Sequence, residues 1–135
     1  MKSSVCVIIP HYNDIVGLEN ALKSVYSQTR PPEQVIVVDD QSPDVDMGLL
    51  EELSSRYGFD LFQQTNKGQS AARNFGVSNS TCTHICFLDQ DDLFLENHIE
   101  DLLEAWDPNP RLAFVYGDAW RQDENGQVFM RTTFR

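Results

Sequence analysis

Two continuous runs of apolar, β-forming residues constrain the fold of this chain more than any other feature of its sequence. Val5–Ile9 is closed by Pro10, and Val35–Val38 is closed by Asp39. Because the runs are continuous rather than alternating, they predict strands buried on both faces, which is typical of parallel sheets covered by helices. Between them, the apolar residues of Leu18–Val25 recur at helical spacing, which predicts an amphipathic helix over residues 16–27.

The alternation of strand and helix continues along the chain. Ser42 before Pro43 predicts the N-cap of a second helix, and Gly58 predicts its end. The remaining predicted elements are a strand at 59–63, a helix at 69–77, a strand at 84–88, a helix carrying Ile99, Leu102, Leu103 and Trp106, a strand at 113–116 and a hairpin turn at Asn125-Gly126. This order predicts an α/β fold, a mostly parallel sheet with helices on both faces.

Length and charge narrow the class of protein. The 135 residues fit one domain, and the formal net charge of −11 disfavours binding to nucleic acid because no Lys/Arg-rich stripe is present. The cysteines are odd in number and lie mostly in apolar runs, so we interpret Cys6, Cys82 and Cys86 as small buried residues of a reducing compartment. No apolar stretch approaches the ~20 residues of a membrane-spanning helix.

An apolar run that ends in three carboxylates suggests a metal site. His84–Leu88 is followed by Asp89-Gln90-Asp91-Asp92. Two carboxylates about 4 Å apart repel by roughly 4 kcal/mol at an effective dielectric near 20, and a divalent cation removes that cost. Asp89 and Asp91 are therefore candidate ligands of Mg²⁺ or Mn²⁺. The alternative is an acidic turn in which Asp92 caps the following helix.

Other polar residues follow the remaining strands. In a parallel sheet the carboxyl ends of the strands meet at one edge, so these loops are expected to converge on the carboxylates. Stacking on an aromatic ring, hydrogen bonds to a base edge and contacts to phosphate oxygens are available there, which predicts a nucleoside-diphosphate site. The groups collected at this edge are Tyr12, Asn13, Asp39, Asp40, Asn66, Lys67 and Arg73, together with the cluster of Asp89, Asp91 and Asp92.

These residues also have purely structural interpretations. In addition, the sequence lacks the motifs of two other kinds of nucleotide-binding site, the dinucleotide fingerprint and the P-loop. Asp39 and Asp40 can close a strand and cap a helix, while Tyr12, Lys67 and Arg73 can be loop or surface residues. The loop at 10–14 contains no glycine, which disfavours a dinucleotide fingerprint, and no P-loop motif occurs.

Four ordered segments carry a family resemblance. They are Val-Ile-Ile-Pro-His-Tyr-Asn at 7–13, Val-Val-Asp-Asp-Gln-Ser at 37–42, Asn66-Lys67-Gly68 with Ala71-Ala72-Arg73-Asn74, and Phe-Leu-Asp-Gln-Asp-Asp at 87–92. Together they resemble the family 2 glycosyltransferases, which have the Rossmann-like GT-A fold of nucleotide-diphospho-sugar transferases. The resemblance runs from Val5 to Tyr116.

The resemblance implies roles for particular residues. Asp89-Gln90-Asp91 falls on the family's DxD motif, so Asp89 and Asp91 would hold Mn²⁺ or Mg²⁺ on the donor diphosphate. Asp39, with Asp40 beside it, would contact the base, usually uracil or thymine. The full expected nucleotide-binding set is Pro10, Tyr12, Asn13, Asp39, Asp40, Lys67, Arg73 and Asp89.

The resemblance also implies a reaction, and it places the catalytic base of that reaction in a later segment of the protein. Family members transfer sugar with inversion, and a carboxylate base removes the proton of the acceptor hydroxyl. That base belongs to a later acceptor-binding region, so no catalytic base is assigned here, and Asp118 and Asp123-Glu124 lie too early for the role. We expect residues 1–135 to be one nucleotide-sugar-binding domain, the N-terminal part of a longer glycosyltransferase, and inactive alone.

The expected partners are a UDP-sugar and a carbohydrate or lipid-linked acceptor, in polysaccharide synthesis for the cell envelope. The expected location is cytoplasmic, with any attachment to the inner membrane face supplied by other segments. Two alternatives remain, a non-catalytic nucleotide-sugar-binding domain and a nucleotidyltransferase. The second should carry a Gly-rich loop after the first strand, and the loop at 10–14 lacks one.

Overall fold

The computed structural model describes residues 2–132, with side chains described as far as residue 128. The chain forms two compact units, Met1–Ile99 and Glu100–Arg135. The sequence predicted one nucleotide-sugar-binding domain over residues 1–135, and a single domain that includes both units stays a prediction. Among the described residues, no helix has the length and hydropathy needed to cross a membrane.

The first unit is built on a parallel sheet of four strands in the order β3-β2-β1-β4. Its elements are β1 Val5–His11, α1 Ile15–Tyr26, β2 Gln34–Asp39, α2 Met47–Tyr57, β3 Asp60–Gln63, α3 Gly68–Asn79 and β4 His84–Phe87. Helix α4, His98–Trp106, begins in this unit and continues into the second. The chain moves outward from β1 to β3 and then returns across the sheet to β4. Right-handed crossovers therefore place α3 on the face opposite α1 and α2, which confirms the predicted α/β fold with helices on both faces.

The core lies around the two central strands. Every residue of β1 is buried, and so are five of the six residues of β2. On the α3 face, Cys6 and Ile8 of β1 pack with Ile36 and Val38 of β2 and with Ala72 of α3. This burial follows from the continuous apolar runs, because both neighbours of each central strand are strands and both faces carry helices.

Close packing of α3 on β1 depends on Gly76. A Cβ atom at this position would lie 2.5 Å from Cγ2 of Ile8, which is itself fully buried. No real Cβ contact is that short, so the helix approaches the strand only because the side chain is absent.

We expect Gly76→Ala to destabilise the protein by roughly 1–2 kcal/mol, since overpacking costs about 1–3 kcal/mol and the better helix propensity of alanine returns up to about 1 kcal/mol. Urea unfolding followed by circular dichroism measures the change. Gly117→Ala is the matched control, because a Cβ atom at Gly117 meets nothing within 4 Å. A Gly76→Ala variant as stable as the native protein would contradict this packing.

The helices and strands of the first unit begin and end within two residues of their predicted positions, with one exception at the start of α2. Ser42 is not the N-cap that the sequence predicted. The helix begins at Met47, and the carboxylate of Asp46 accepts a 2.8 Å hydrogen bond from the Gly48 amide. Gly58 ends α2 as predicted, in the left-handed conformation at φ 82°.

Strand β4 is less buried than its apolar sequence predicted. His84, Ile85 and Cys86 are half-buried, and Phe87 is 48% exposed. Among the described residues β4 pairs only with β1, so it forms an edge of the sheet. The apolar run at residues 84–88 predicted the strand, but such a pattern cannot distinguish a central strand from an apolar edge strand.

The second unit contains a hairpin. Strands β5 Ala119–Gln122 and β6 Val128–Thr132 pair antiparallel, and Gly126 lies in the turn between them at φ 80°. The turn predicted at Asn125-Gly126 is therefore confirmed. The strand predicted at residues 113–116 is wrong, since that segment carries no regular structure and pairs with no strand of the described chain.

Candidate functional site

A cleft of about 100 Å³ opens at the carboxyl ends of the strands, where the strand order reverses between β1 and β4. The loops after β1, β2 and β4 meet there with the first turns of α3, as the sequence predicted. The lining residues are Pro10, His11, Tyr12, Asp40, Gln69, Ala72, Asp89, Gln90 and Asp91. The other candidates, Asn13, Asp39, Lys67 and Arg73, each hydrogen-bond to a residue close to this cleft.

Asp39 lies at the end of β2 and is fully buried. Its Oδ1 accepts hydrogen bonds from the Ser42 hydroxyl at 2.5 Å and from Nδ1 of His11 at 2.9 Å. Its Oδ2 accepts from the Ser42 amide at 3.1 Å and from the Gln63 side chain at 3.3 Å. Burial opposes ionisation of this carboxyl, but the hydrogen bonds from Ser42 and His11 outweigh it, so the pKa of Asp39 is lowered.

His11 is the buried partner of Asp39. Its Nε2 accepts a hydrogen bond from the Asp14 amide at 3.3 Å, so the proton is assigned to Nδ1, which donates to Asp39. The side chains of both residues are 0% exposed. His11 is therefore a buried structural residue, and Asp39 anchors the interior of the loops rather than facing the cleft.

Asp40, and not Asp39, is the acidic residue after β2 that lines the cleft. Its Oδ1 accepts from the Lys67 amide at 2.8 Å and from the Gln64 side chain at 2.9 Å, and its Oδ2 accepts from the Gly68 amide at 2.9 Å. Burial raises the pKa of Asp40, but the hydrogen bonds from Gln64, Lys67 and Gly68 lower it further than burial raises it. A carboxylate oxygen has two lone pairs, and Oδ2 uses one of them in the bond to Gly68.

Asp40 also caps helix α3 from another part of the chain. The residue before the helix, Lys67, makes no side-chain capping bond, and the carboxylate of Asp40 takes the first free amides instead. A negative charge at a helix N-terminus is favourable because it opposes the positive end of the helix dipole. The loop after β2 and the start of α3 are thereby held together at the cleft.

Arg73 and Asp89 contact each other. Nη2 of Arg73 donates to Oδ1 of Asp89 at 2.5 Å, and to Oε1 of Gln69 at 3.3 Å. The Arg73 side chain is 27% exposed and that of Asp89 is 42% exposed. The sequence predicted a phosphate contact for Arg73 and a metal contact for Asp89, and the structure joins the two residues into one ion pair.

The three carboxylates after β4 form a cluster. Asp89, Asp91 and Asp92 each place one oxygen within 4.8 Å of the others. Burial and the charges of Asp91 and Asp89 raise the pKa of Asp92. Helix α4 begins only at His98, so Asp92 does not cap it; its amide instead donates to the Asp89 carbonyl at 3.0 Å in a tight turn. Three carboxylate oxygens this close suit a hard divalent cation.

Gln90 joins the β4 loop to the β1 loop. Its Oε1 accepts from the Tyr12 amide at 2.7 Å, and its Nε2 donates to the Tyr12 carbonyl at 3.0 Å. Helix α1 approaches the same loop closely, since a Cβ atom on Gly17 would lie 2.8 Å from the Gln90 carbonyl oxygen. The Tyr12 side chain is left 47% exposed at the edge of the cleft.

Sequence comparison identifies the protein family and its relatives. Residues 6–134 match the family described as Glycosyl transferase family 2. A succinoglycan biosynthesis protein, ExoW of Rhizobium meliloti, is 36% identical over 134 residues, which cover 94% of this chain and 40% of that protein. The chain spans only 12 to 40% of the length of the curated relatives it matches.

Solved structures share the fold. S. aureus TarS 1-349 in complex with UDP-GlcNAc superposes with a TM-score of 0.70 at 26% identity, covering 79% of this chain and 32% of that one. The mannosyltransferase PcManGT of Pyrobaculum calidifontis, solved with GDP-Man and Mn²⁺, superposes with a TM-score of 0.71 at 21% identity, covering 91% of this chain and 36% of that one. The likeness to PcManGT shows the fold alone.

Proposed function

Because the chain belongs to glycosyl transferase family 2 and has the GT-A fold, we propose that its cleft binds the nucleotide-diphospho-sugar donor of an inverting, metal-dependent glycosyltransferase. The observation that carries this proposal is the meeting of an exposed aromatic ring, Tyr12, a cleft-facing carboxylate, Asp40, and the cluster of Asp89, Asp91 and Asp92 at one edge of the sheet. TarS, a relative of the same fold, binds UDP-GlcNAc. A UDP-sugar is therefore the proposed donor.

The base is assigned to the side of the cleft formed by the β1 loop. Pro10 and the exposed ring of Tyr12 flank it, and the free lone pair of Asp40 accepts the N–H of a pyrimidine. Asn13 contributes through the backbone, since its side chain exchanges hydrogen bonds with Asp44 at 3.3 Å. Asp39 supports the same loops from inside and makes no direct contact with the base.

The diphosphate is assigned to the β4 side. Asp89, Asp91 and Asp92 would hold Mn²⁺ or Mg²⁺, which would neutralise charge on the departing diphosphate. Arg73 keeps Asp89 in place and, with Lys67, offers positive charge to phosphate oxygens. These carboxylates serve the leaving group, so the base that removes the acceptor proton is a different residue.

For the acceptor we propose only a chemical class. ExoW takes part in succinoglycan biosynthesis, and we propose a sugar hydroxyl of a growing polysaccharide for this protein. A non-catalytic donor-binding domain is the second candidate, because the carboxylates of this cleft are assigned to the donor alone.

Isothermal titration calorimetry with UDP-, TDP- and GDP-sugars in the presence of Mn²⁺ tests the donor site. We expect a uridine donor to bind most tightly, because TarS, which shares this fold, binds UDP-GlcNAc. Absence of binding by every donor would overturn the proposal. Release of UDP in the presence of a polysaccharide acceptor distinguishes the enzyme from the non-catalytic domain.

A further inference from the structure

Gln90 lies between two proposed metal ligands and yet directs its side chain to a different loop. Its amide makes two hydrogen bonds to the backbone of Tyr12, one in each direction, at 2.7 and 3.0 Å. Both polar atoms of the amide are therefore engaged, and neither needs to face a ligand. A bidentate amide contact of this kind fixes orientation as well as distance, because both bonds must form at once.

The backbone of the β1 loop is held from two sides. On the β2 side, the Asn13 amide donates to the Ser42 hydroxyl at 2.9 Å, and the Asp40 amide donates to the His11 carbonyl at 2.9 Å. On the β4 side, the bonds that hold it come from Gln90. The Tyr12 residue lies between these two attachments, so the direction of its exposed ring depends on both.

The same side chain constrains the carboxylates. Asp89 and Asp91 are the sequence neighbours of Gln90, and Asp89 is held in addition by Arg73. When the Gln90 amide is fixed against Tyr12, the backbone between Asp89 and Asp91 is fixed with it. A displacement of either loop must therefore strain the two Gln90 bonds and shift the other loop.

We propose that Gln90 is a positioning residue that couples the base-stacking ring of Tyr12 to the metal-binding carboxylates. The proposal rests on the proposed function, since it assigns the ring to the base and the carboxylates to the cation. It implies that loss of the Gln90 amide weakens nucleotide binding even when no metal is present, through Tyr12. It implies as well that the same loss weakens Mn²⁺ binding to the nucleotide complex.

A double-mutant cycle on UDP affinity tests the coupling. Calorimetry in EDTA is carried out on the wild type, Gln90→Ala, Tyr12→Ala and the double variant. We expect each single substitution to weaken UDP binding about 10-fold, which is the range of one or two lost hydrogen bonds or one aromatic contact. We expect the double variant to bind no more than about twofold more weakly than Tyr12→Ala, because Gln90 then has no ring to position.

The second readout is Mn²⁺ affinity in UDP-saturated protein, measured by electron paramagnetic resonance. Gln90→Ala should weaken it about 10-fold, as expected for a residue that supports metal ligands. Gln90→Asn keeps the amide on a side chain one methylene shorter and should give intermediate values in both assays. Gln127→Ala is the matched control, an exposed glutamine in the turn between β5 and β6.

Several outcomes overturn the coupling. One is an unchanged UDP affinity of Gln90→Ala in EDTA. Another is a double variant whose loss is the product of the two single losses, which would show that Gln90 and Tyr12 act independently. If the wild type binds no UDP, both the proposed function and the coupling are overturned, whereas normal wild-type binding with either of the first two results rejects the coupling alone.

Discussion

Asp91→Asn is expected to abolish the effect of Mn²⁺ on UDP-sugar affinity while leaving metal-free binding close to the wild-type value. Asp91 offers an exposed carboxylate to the cluster with Asp89 and Asp92, and unlike Asp89 it has no arginine partner among the described ion pairs. Replacing residues that merely support metal ligands costs about 10–100-fold in metal affinity. Loss of a proposed ligand should cost at least as much, so Mn²⁺ affinity should fall by about 100-fold or more.

Calorimetric titrations of UDP-GlcNAc with and without Mn²⁺ measure this effect. Asp107→Asn is the matched control, because it removes the same charge from an exposed position in the second unit. A variant at Asp91 that keeps the full Mn²⁺ effect would reject the assignment of this carboxylate as a ligand. A loss that appears equally in EDTA would assign Asp91 to the nucleotide instead.

Asp39→Asn is expected to lower the free energy of unfolding by about 1–3 kcal/mol, the cost typical of a buried hydrogen-bond donor left without its acceptor. The amide that replaces the carboxylate has one acceptor oxygen in place of two. The donors of His11, Ser42 and Gln63 converge on that position, so at least one of them would be left without an acceptor in the interior. Urea unfolding at neutral pH measures the loss.

The pH dependence gives an independent check on the same residue. The pKa of Asp39 is lowered in the folded protein, so its contribution to stability is present above the unfolded value of about 4 and is lost as the pH falls through the folded value. Asp39→Asn should therefore flatten the fall in stability below about pH 4. Asp107→Asn should leave the stability at neutral pH unchanged, and a similar loss of stability in that control would contradict the structural role assigned to Asp39.

The fold was predictable because its strongest signals are local. Two uninterrupted apolar runs lie in β1 and β2, and the helical spacing from Leu18 to Val25 lies in α1. The exceptions have physical causes. The segment 113–116 has the composition of a strand but pairs with no strand in the described chain, and β4 has the composition of a central strand but forms an edge.

The site was predictable only in part because its geometry depends on contacts between distant residues. Parallel topology brought the correct loops to one edge, so Tyr12, Asp40, Asp89 and Asp91 line one cleft as expected. Composition alone could not distinguish Asp39 from Asp40, although the first is buried and the second faces the cleft.

The role of Gln90 had no local signal at all. Its partner Tyr12 lies 78 residues earlier in the chain. Gln64, which helps hold Asp40, was also missed as a member of the site. In each case the side chain acquires its function from an element that packs beside it only after folding.

The central claim is that this sheet edge binds a uridine nucleotide-sugar together with a divalent cation. Calorimetry of the unmodified chain with UDP-GlcNAc, in Mn²⁺ and in EDTA, tests it most directly. We predict saturable binding at one site that is at least about 10-fold tighter with Mn²⁺, a difference of about 1.4 kcal/mol. Equal affinity in the two buffers, or no binding in either, would contradict the claim.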